Sequence, residues 1–154
     1  MIAARNTESP MSKDALALEN QLCFAIYSAS HAFTKFYKPL LAELDVTYPQ
    51  YLVLLFLWQS PEARVTDICA ALGLDTGTLS PLLKRLEKTG YIRRERSMED
   101  ERQVVVRITA LGLSRKPVAE AILAEIGKAV GCTRDEAETM RESLKLLRTK
   151  LAAA

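Results

Sequence analysis

The sequence is poor in the residues that hold metals and staple small secreted folds. Histidine occurs once, at His31, and the three cysteines stand at Cys23, Cys69 and Cys132, with no C-x-x-C pair among them. A tetrahedral zinc site needs more ligands at closer spacing, and a disulfide framework needs a denser, even set. No metal and no cofactor is expected. The formal net charge is only +2, so charge alone does not announce a nucleic-acid partner. Six glycines and six prolines are few, and 49% of residues are hydrophobic, which argues against wholesale disorder. The longest apolar run, residues 51–58, is far too short to span a bilayer. Residues 1–13 lack the apolar centre of a signal peptide. A soluble, cytoplasmic chain without membrane contact is expected.

What is there is strongly patterned. Residues 1–13 are polar and unpatterned, and are expected to be flexible. From about 14 to 44 the pattern is helical, with Leu22, Ile26, Ala29, Phe33, Phe36 and Leu40 at steps of three or four. Pro39 should end or kink that helix near Lys38. A second helix is expected over 49–59, with Pro49 in its first turn, and residues 60–62 read as a break. A short helix over 65–72, with Thr66 as a candidate N-cap, stops at Gly73. A fourth helix runs over about 76–89. Pro81 inside it favours a start near Thr78 or Leu79 over one at Asp75. Residues 91–96 and 103–109 read as strands joined by a polar tip, 97–102. One helix is expected over 110–130, passing Pro117. A last one over 134–151 carries Met140, Leu144, Leu147 and Leu151 on one face.

Helix, short turn, helix, strand, tip, strand is the order of a winged helix-turn-helix: a mainly α fold with a small β-hairpin wing. The second helix of the pair would enter the major groove of double-stranded DNA with its early residues against base edges. Its exposed candidates are Thr76, Thr78, Ser80, Lys84 and Arg85, and its N-terminus itself favours phosphate. The hairpin adds Arg93, Arg94, Arg96, Arg102 and Arg107. From Lys84 to Arg107 eight basic residues face five acidic ones. An arginine at the wing tip suits the narrow minor groove, and Asp100 stands where a bidentate pair with Arg102 would aim the guanidinium. The bland alternative is a solvated hairpin beside ordinary helix packing, because winged helices also serve as protein-interaction modules.

Arg94, then Asp100-x-Arg102, then Ile108-Thr109-x-x-Gly112 resembles the wing signature of the MarR family of bacterial regulators. The run from Thr78 to Glu87 and the following Gly90-Tyr91-Ile92 resemble the same family, and the likeness extends from the first helix to the last. The resemblance implies a homodimer on a pseudo-palindromic operator, its interface formed by the first and last helices. In domain terms it implies one domain over 14–154, with a DNA-binding lobe at 46–112 and dimerising helices at 14–45 and 110–154.

Cys23 lies in the first helix. A thiol reacts as the thiolate, so something must steady the anion, and no Lys, Arg or His lies within one helical turn. Tyrosine hydroxyls are the remaining local donors. Tyr27, at i+4, shares its face. Tyr37 is fourteen residues on, roughly 21 Å along a straight helix at ~1.5 Å per residue. It reaches a Cys23 thiol only if two such helices cross antiparallel in a dimer, and a composite site with Tyr37 and Tyr48 of the partner subunit follows. The residues Leu22-Cys23-Phe24-Ala25-x-Tyr27-Ser28, Tyr37, and Leu44-x-Val46-Thr47-Tyr48-Pro49-Gln50-Tyr51 resemble the organic-hydroperoxide sensors of that family. The resemblance implies that Cys23 is the peroxide-reactive thiol and that Tyr37 and Tyr48 hydrogen-bond its sulfur. It also implies, for the two-cysteine branch, that Cys132 closes a disulfide across the dimer. Phe24, Phe33, Phe36 and Trp58 are apolar neighbours that would favour organic peroxides as the oxidant.

Three functions are thus open. The first is a repressor released by oxidation of Cys23. The second is a regulator released by a small aromatic ligand, with the cysteines incidental. The third is a thiol peroxidase, which the missing basic residue beside Cys23 argues against; no enzyme is expected. Cys69 reads as core, and His31 as a surface or interface residue.

Overall fold

Leu57, Ile68, Leu79, Leu86 and Val106 are wholly buried together, and the elements that carry them are laid out around that contact. In this computed structural model residues 14–154 are described; the expected flexible stretch, 1–13, lies outside them. The chain divides into two units, one ending at Leu40 and one running from Leu41 to Ala154.

The first unit is a 3-10 turn, Leu18–Asn20, followed by helix α1, Leu22–Leu40. The helix expected over 14–44 is therefore shorter at both ends. Pro39 does not stop it at Lys38: the proline sits in the last turn, and the chain tightens into a 3-10 turn only at Leu41–Leu44.

The second unit continues with α2, Tyr48–Gln59. This helix is apolar on all sides, as a helix enclosed by other elements must be. Its one buried polar side chain, Gln50, is satisfied: Thr47 N donates to Gln50 Oε1 at 2.8 Å. Strand β1, Glu62–Arg64, begins where a break was expected. Helices α3, Val65–Leu72, and α4, Thr76–Lys88, follow, separated by a turn in which Gly73 takes φ 66°. That left-handed conformation favours glycine. Thr66 lies inside the first turn of α3 and does not cap it. Instead Asp67 Oδ2 accepts from Arg64 N at 3.3 Å.

Strands β2, Ile92–Arg96, and β3, Val104–Ile108, form the wing. The sheet has three antiparallel strands in the order β1-β3-β2, with Glu62 and Arg93 both opposite Arg107. Ala63, Val106 and Ile92 turn inward and join the core. Past the wing, the single helix expected over 110–130 is two. Helix α5 is Ala110–Ser114 and α6 is Lys116–Val130, with Pro117 in the first turn of the second. A proline at that position loses no hydrogen bond, so it starts a helix more cheaply than it kinks one. Helix α7, Arg134–Ala152, is capped by Thr133, whose Oγ1 accepts from Glu136 N at 3.2 Å. Among the described residues no single helix is long and apolar enough to cross a membrane.

Candidate nucleic-acid interface and the placement of the thiols

The start of α4 is fixed by Asp75. Its carboxylate accepts from Thr78 N at 2.7 Å and from Thr78 Oγ1 at 3.0 Å. These bonds, the backbone one first, hold the Asp75 carboxyl below the usual carboxylate range. The helix thus begins at Thr76, earlier than Pro81 suggested. Pro81 is tolerated because a cap and three buried leucines, Leu79, Leu83 and Leu86, hold the helix around it. The cap changes the expected chemistry as well. The Asp75 carboxylate takes up the Thr78 N–H at the N-terminus of α4, the end expected to favour phosphate. The Thr78 hydroxyl is committed to the cap as a donor. Thr76, Lys84 and Arg85 are exposed, and Ser80 is half-buried.

Beside their shared apolar core, the wing and α4 are joined by the Glu87 carboxylate. Glu87 accepts from Arg94 N at 2.9 Å, Arg94 Nε at 3.0 Å and Arg94 Nη2 at 2.7 Å. Arg94, expected to meet DNA, has its charge balanced within the chain. Arg107 is balanced too, by Glu62 at 2.7 Å and Glu95 at 3.6 Å on the outer side of the sheet. Asp100 does not pair with the Arg102 guanidinium. Its Oδ1 accepts from Arg102 N at 3.0 Å and its Oδ2 from Gln103 Nε2 at 3.1 Å. It shapes the backbone of the tip, because a side chain two residues before an N–H closes an Asx-type turn more readily than it reaches the end of a long guanidinium. Arg96 and Arg102 are exposed, and among the described residues neither enters an ion pair.

The junction behind the wing is tight. Thr109 Oγ1 accepts from Gly112 N at 3.1 Å and donates to Gly90 O. Trp58 Nε1 donates to Gly112 O at 3.0 Å, so this ring is engaged in the core side of the lobe. Tyr91 Oη donates to Leu44 O at 2.9 Å.

The three thiols are free and sit in different surroundings. Cys23 is exposed on α1, one turn before Tyr27, whose ring leans on His31 at 4.2 Å between centroids and 41° between planes. Tyr37 is buried at the far end of the same helix. Tyr48 opens α2, and burial raises its phenol above the ordinary value. Tyr51 is raised as well, by burial first and then by Tyr48. Cys69 packs against the core, as expected. Cys132 is half-buried in the link between α6 and α7.

A three-stranded wing packed on a helix-turn-helix, with exposed arginines at its tip, is the architecture of a winged-helix transcriptional regulator. The chain belongs to the family described as transcriptional regulator SarA/Rot, whose profile matches residues 35–116. The family is MarR-like. Over 138 residues the chain is 44% identical to the organic hydroperoxide resistance transcriptional regulator of Bacillus subtilis, covering 90% of this chain and 92% of that one. It is 45% identical over 140 residues to the HTH-type transcriptional regulator TtmR of Methylorubrum extorquens, covering 91% of this chain and 72% of the other. Reduced AbfR bound to DNA superposes with a TM-score of 0.75 at 36% identity, covering 92% of this chain and all of that one. Disulfide-formed AbfR gives 0.63 at 38% identity, covering 89% of this chain and 96% of the other. The family and these homologues are DNA-binding transcriptional regulators.

Proposed function

We propose that the protein is a homodimeric repressor that holds operator DNA in its reduced form and lets go when an organic hydroperoxide oxidises Cys23. The observation that carries the reading is the exposed, free Cys23 thiol, in a chain 44% identical to an organic hydroperoxide resistance regulator over nearly that protein's whole length. The chemistry balances without a cofactor. The Cys23 thiolate attacks one peroxide oxygen, the O–O bond breaks, and the departing alkoxide takes a proton to leave as an alcohol. Cys23 is then a sulfenic acid. The thiolate of Cys132 of the partner subunit attacks that sulfur, hydroxide leaves and is protonated to water, and a disulfide joins the subunits.

Tyr37 and Tyr48 of the partner subunit, with Tyr27 beside the thiol, would steady the sulfur anion by hydrogen bonding. Each phenol is protonated at neutral pH and can donate to the thiolate. Closing the disulfide brings two Cα atoms to about 4.4–6.8 Å. Movement of Cys132, at the link before α7, would then alter the spacing of the two α4 helices on DNA. Thr76, Ser80, Lys84, Arg85, Arg96 and Arg102 supply the DNA contacts, while Thr78, Arg94 and Asp100 position them.

A gel-shift assay with and without one equivalent of cumene hydroperoxide tests this. Wild type should release DNA and Cys23→Ser should hold it. Cys132→Ser should give no disulfide-linked dimer on a non-reducing gel. Peroxide-driven release of Cys23→Ser would refute the sensor role.

A further inference from the structure

A groove of about 280 Å³ runs between α4 and the wing, lined by Arg64, Thr66, Thr76, Ser80, Arg94 and Arg102 among others. Its chemistry is one-sided. No aspartate or glutamate lines it. Arg94 is neutralised by Glu87, but among the described residues the guanidinium groups of Arg64 and Arg102 enter no ion pair. The hydroxyls of Thr66, Thr76 and Ser80 likewise make no side-chain hydrogen bond within the described chain. Two unbalanced cations and three uncommitted hydroxyls ask for a ligand that is anionic and accepts hydrogen bonds.

Arg64 stands on a ridge. Its other side borders a second groove of about 500 Å³, where the carboxylates of Glu62, Asp67, Glu95 and Glu99 stand beside Arg96 and Arg107. An anion arriving at the ridge meets carboxylates on the mixed side and none on the other, so the acid-free groove is the more favourable seat. The location says which anion. When α4 occupies a major groove and the wing tip the adjacent minor groove, one sugar-phosphate strand must pass between them, because a strand is what divides the two grooves.

We propose that this groove is the seat of a DNA phosphodiester and that Arg64, carried by β1, is one of the residues that bind it. The inference rests on the DNA-binding reading above and extends it to an element that reads as a mere break in the sequence. A seat of this kind adds affinity without base discrimination. It also releases counterions, so binding weakens with salt by about 0.9 in the log–log slope for each phosphate neutralised.

The test uses the reduced full-length protein and a duplex selected from a random library by the wild type, titrated across a range of salt. Arg64→Gln should bind more weakly, with a slope shallower by about 0.9 for each copy of the residue that meets DNA. Arg64→Lys should keep the wild-type slope, which guards against a folding defect. Inorganic phosphate, compared with chloride at matched ionic strength, tests whether a free phosphate group enters the same seat. Equal effects of the two salts fit a seat for the DNA strand. Selective displacement of DNA by phosphate from wild type, absent in Arg64→Gln, would show free phosphate and the DNA phosphodiester competing for this one seat and would support the assignment. Arg64→Gln matching wild type in affinity and slope would overturn the seat. Failure of the wild type to select any duplex would overturn the DNA-binding reading itself.

Discussion

Glu87 and Arg94 bind each other through three hydrogen bonds, one from the Arg94 backbone and two from its guanidinium. One residue lies on α4 and the other on β2, so the pair ties that helix to the wing beside the core contact of Leu83, Leu86 and Ile92. Hydrogen bonds to charged groups contribute about 1.5–3 kcal/mol each when well buried. The Arg94 and Glu87 side chains are 26% and 36% exposed, respectively, which moves the pair towards the value of a surface ion pair, up to about 1 kcal/mol. Arg94→Ala should cost about 1–2 kcal/mol overall, and Glu87→Gln a similar amount. The double variant should cost less than the sum, which a thermal-denaturation cycle would reveal. The pH dependence has a definite sign. Arg94 holds the Glu87 carboxyl below its ordinary value of 4.5, so the stabilisation is complete above that pH and is lost as pH falls through the lowered value. The gap between wild type and Glu87→Gln should close on acidification below 4.5 and stay constant above it.

Gly112 has no room for a side chain. A Cβ there would fall inside contact distance of Tyr91 O and lie 2.7 Å from Ile108 Cγ1. Backbone and a packed isoleucine cannot swing away as a flexible side chain would. Gly112→Ala should destabilise the lobe by about 1–3 kcal/mol, the usual range for overpacking. Trp58, the only tryptophan, donates its indole N–H to Gly112 O. Its fluorescence therefore reports on this junction, and the variant should show a shifted emission in the native state and an earlier urea midpoint.

The two helices of the reading head, the wing strands and α7 were legible because each announces itself locally. Apolar residues recur at helical spacing, Gly73 marks a stop, and β-branched residues crowd 104–108. Strand β1 was not legible. It is three residues long, follows Pro61, and exists through pairing with Arg107, Val106 and Val105 far along the chain. The acid-free groove was hidden for the same reason, since Arg64 belongs to that strand. Asp75 and Asp100 were visible as residues but not as roles. Whether an aspartate caps a helix, shapes a turn or pairs with an arginine depends on backbone geometry that spacing alone does not set. The split at Arg115 turned on one proline, Pro117, which sequence allows either to kink a helix or to begin one.

Asp75 links the stability of α4 to pH. Its carboxylate is the acceptor that caps the helix, and its hydrogen bonds to Thr78 hold it below the ordinary value of 3.8. The cap is therefore intact above that pH and fails as pH falls through the lowered value. Asp75→Ala should lower the melting temperature and weaken DNA binding at neutral pH. Asp75→Asn should retain most of both, because asparagine caps nearly as well. If Asp75→Ala instead strengthens DNA binding, the cap's negative charge was opposing the phosphates more than its hydrogen bonds were ordering the helix. A salt titration would show that as a steeper slope.

Helix α7 buries none of its residues, yet it is not a polar helix. Met140, Leu144 and Leu151 are 60%, 44% and 69% exposed and share one face with Leu147. A helix of 19 residues with an apolar stripe turned to solvent gains little from its own chain. At roughly 25 cal/mol per Å² of apolar area, covering that stripe with a second copy would supply the missing stabilisation. Leu144→Lys places a charge in the middle of the stripe. A buried, unpaired ammonium is far costlier than the lost leucine contact, so the proposed dimer should dissociate at concentrations where wild type remains paired. Sedimentation should then show a monomer. DNA affinity should fall steeply, because two half-sites no longer bind as one unit. The helix is capped by Thr133 and Glu136, at the opposite end from residue 151, so its helicity by circular dichroism should survive. A Leu144→Lys protein that stays dimeric would place the interface elsewhere and leave the exposed stripe without a partner of its own kind.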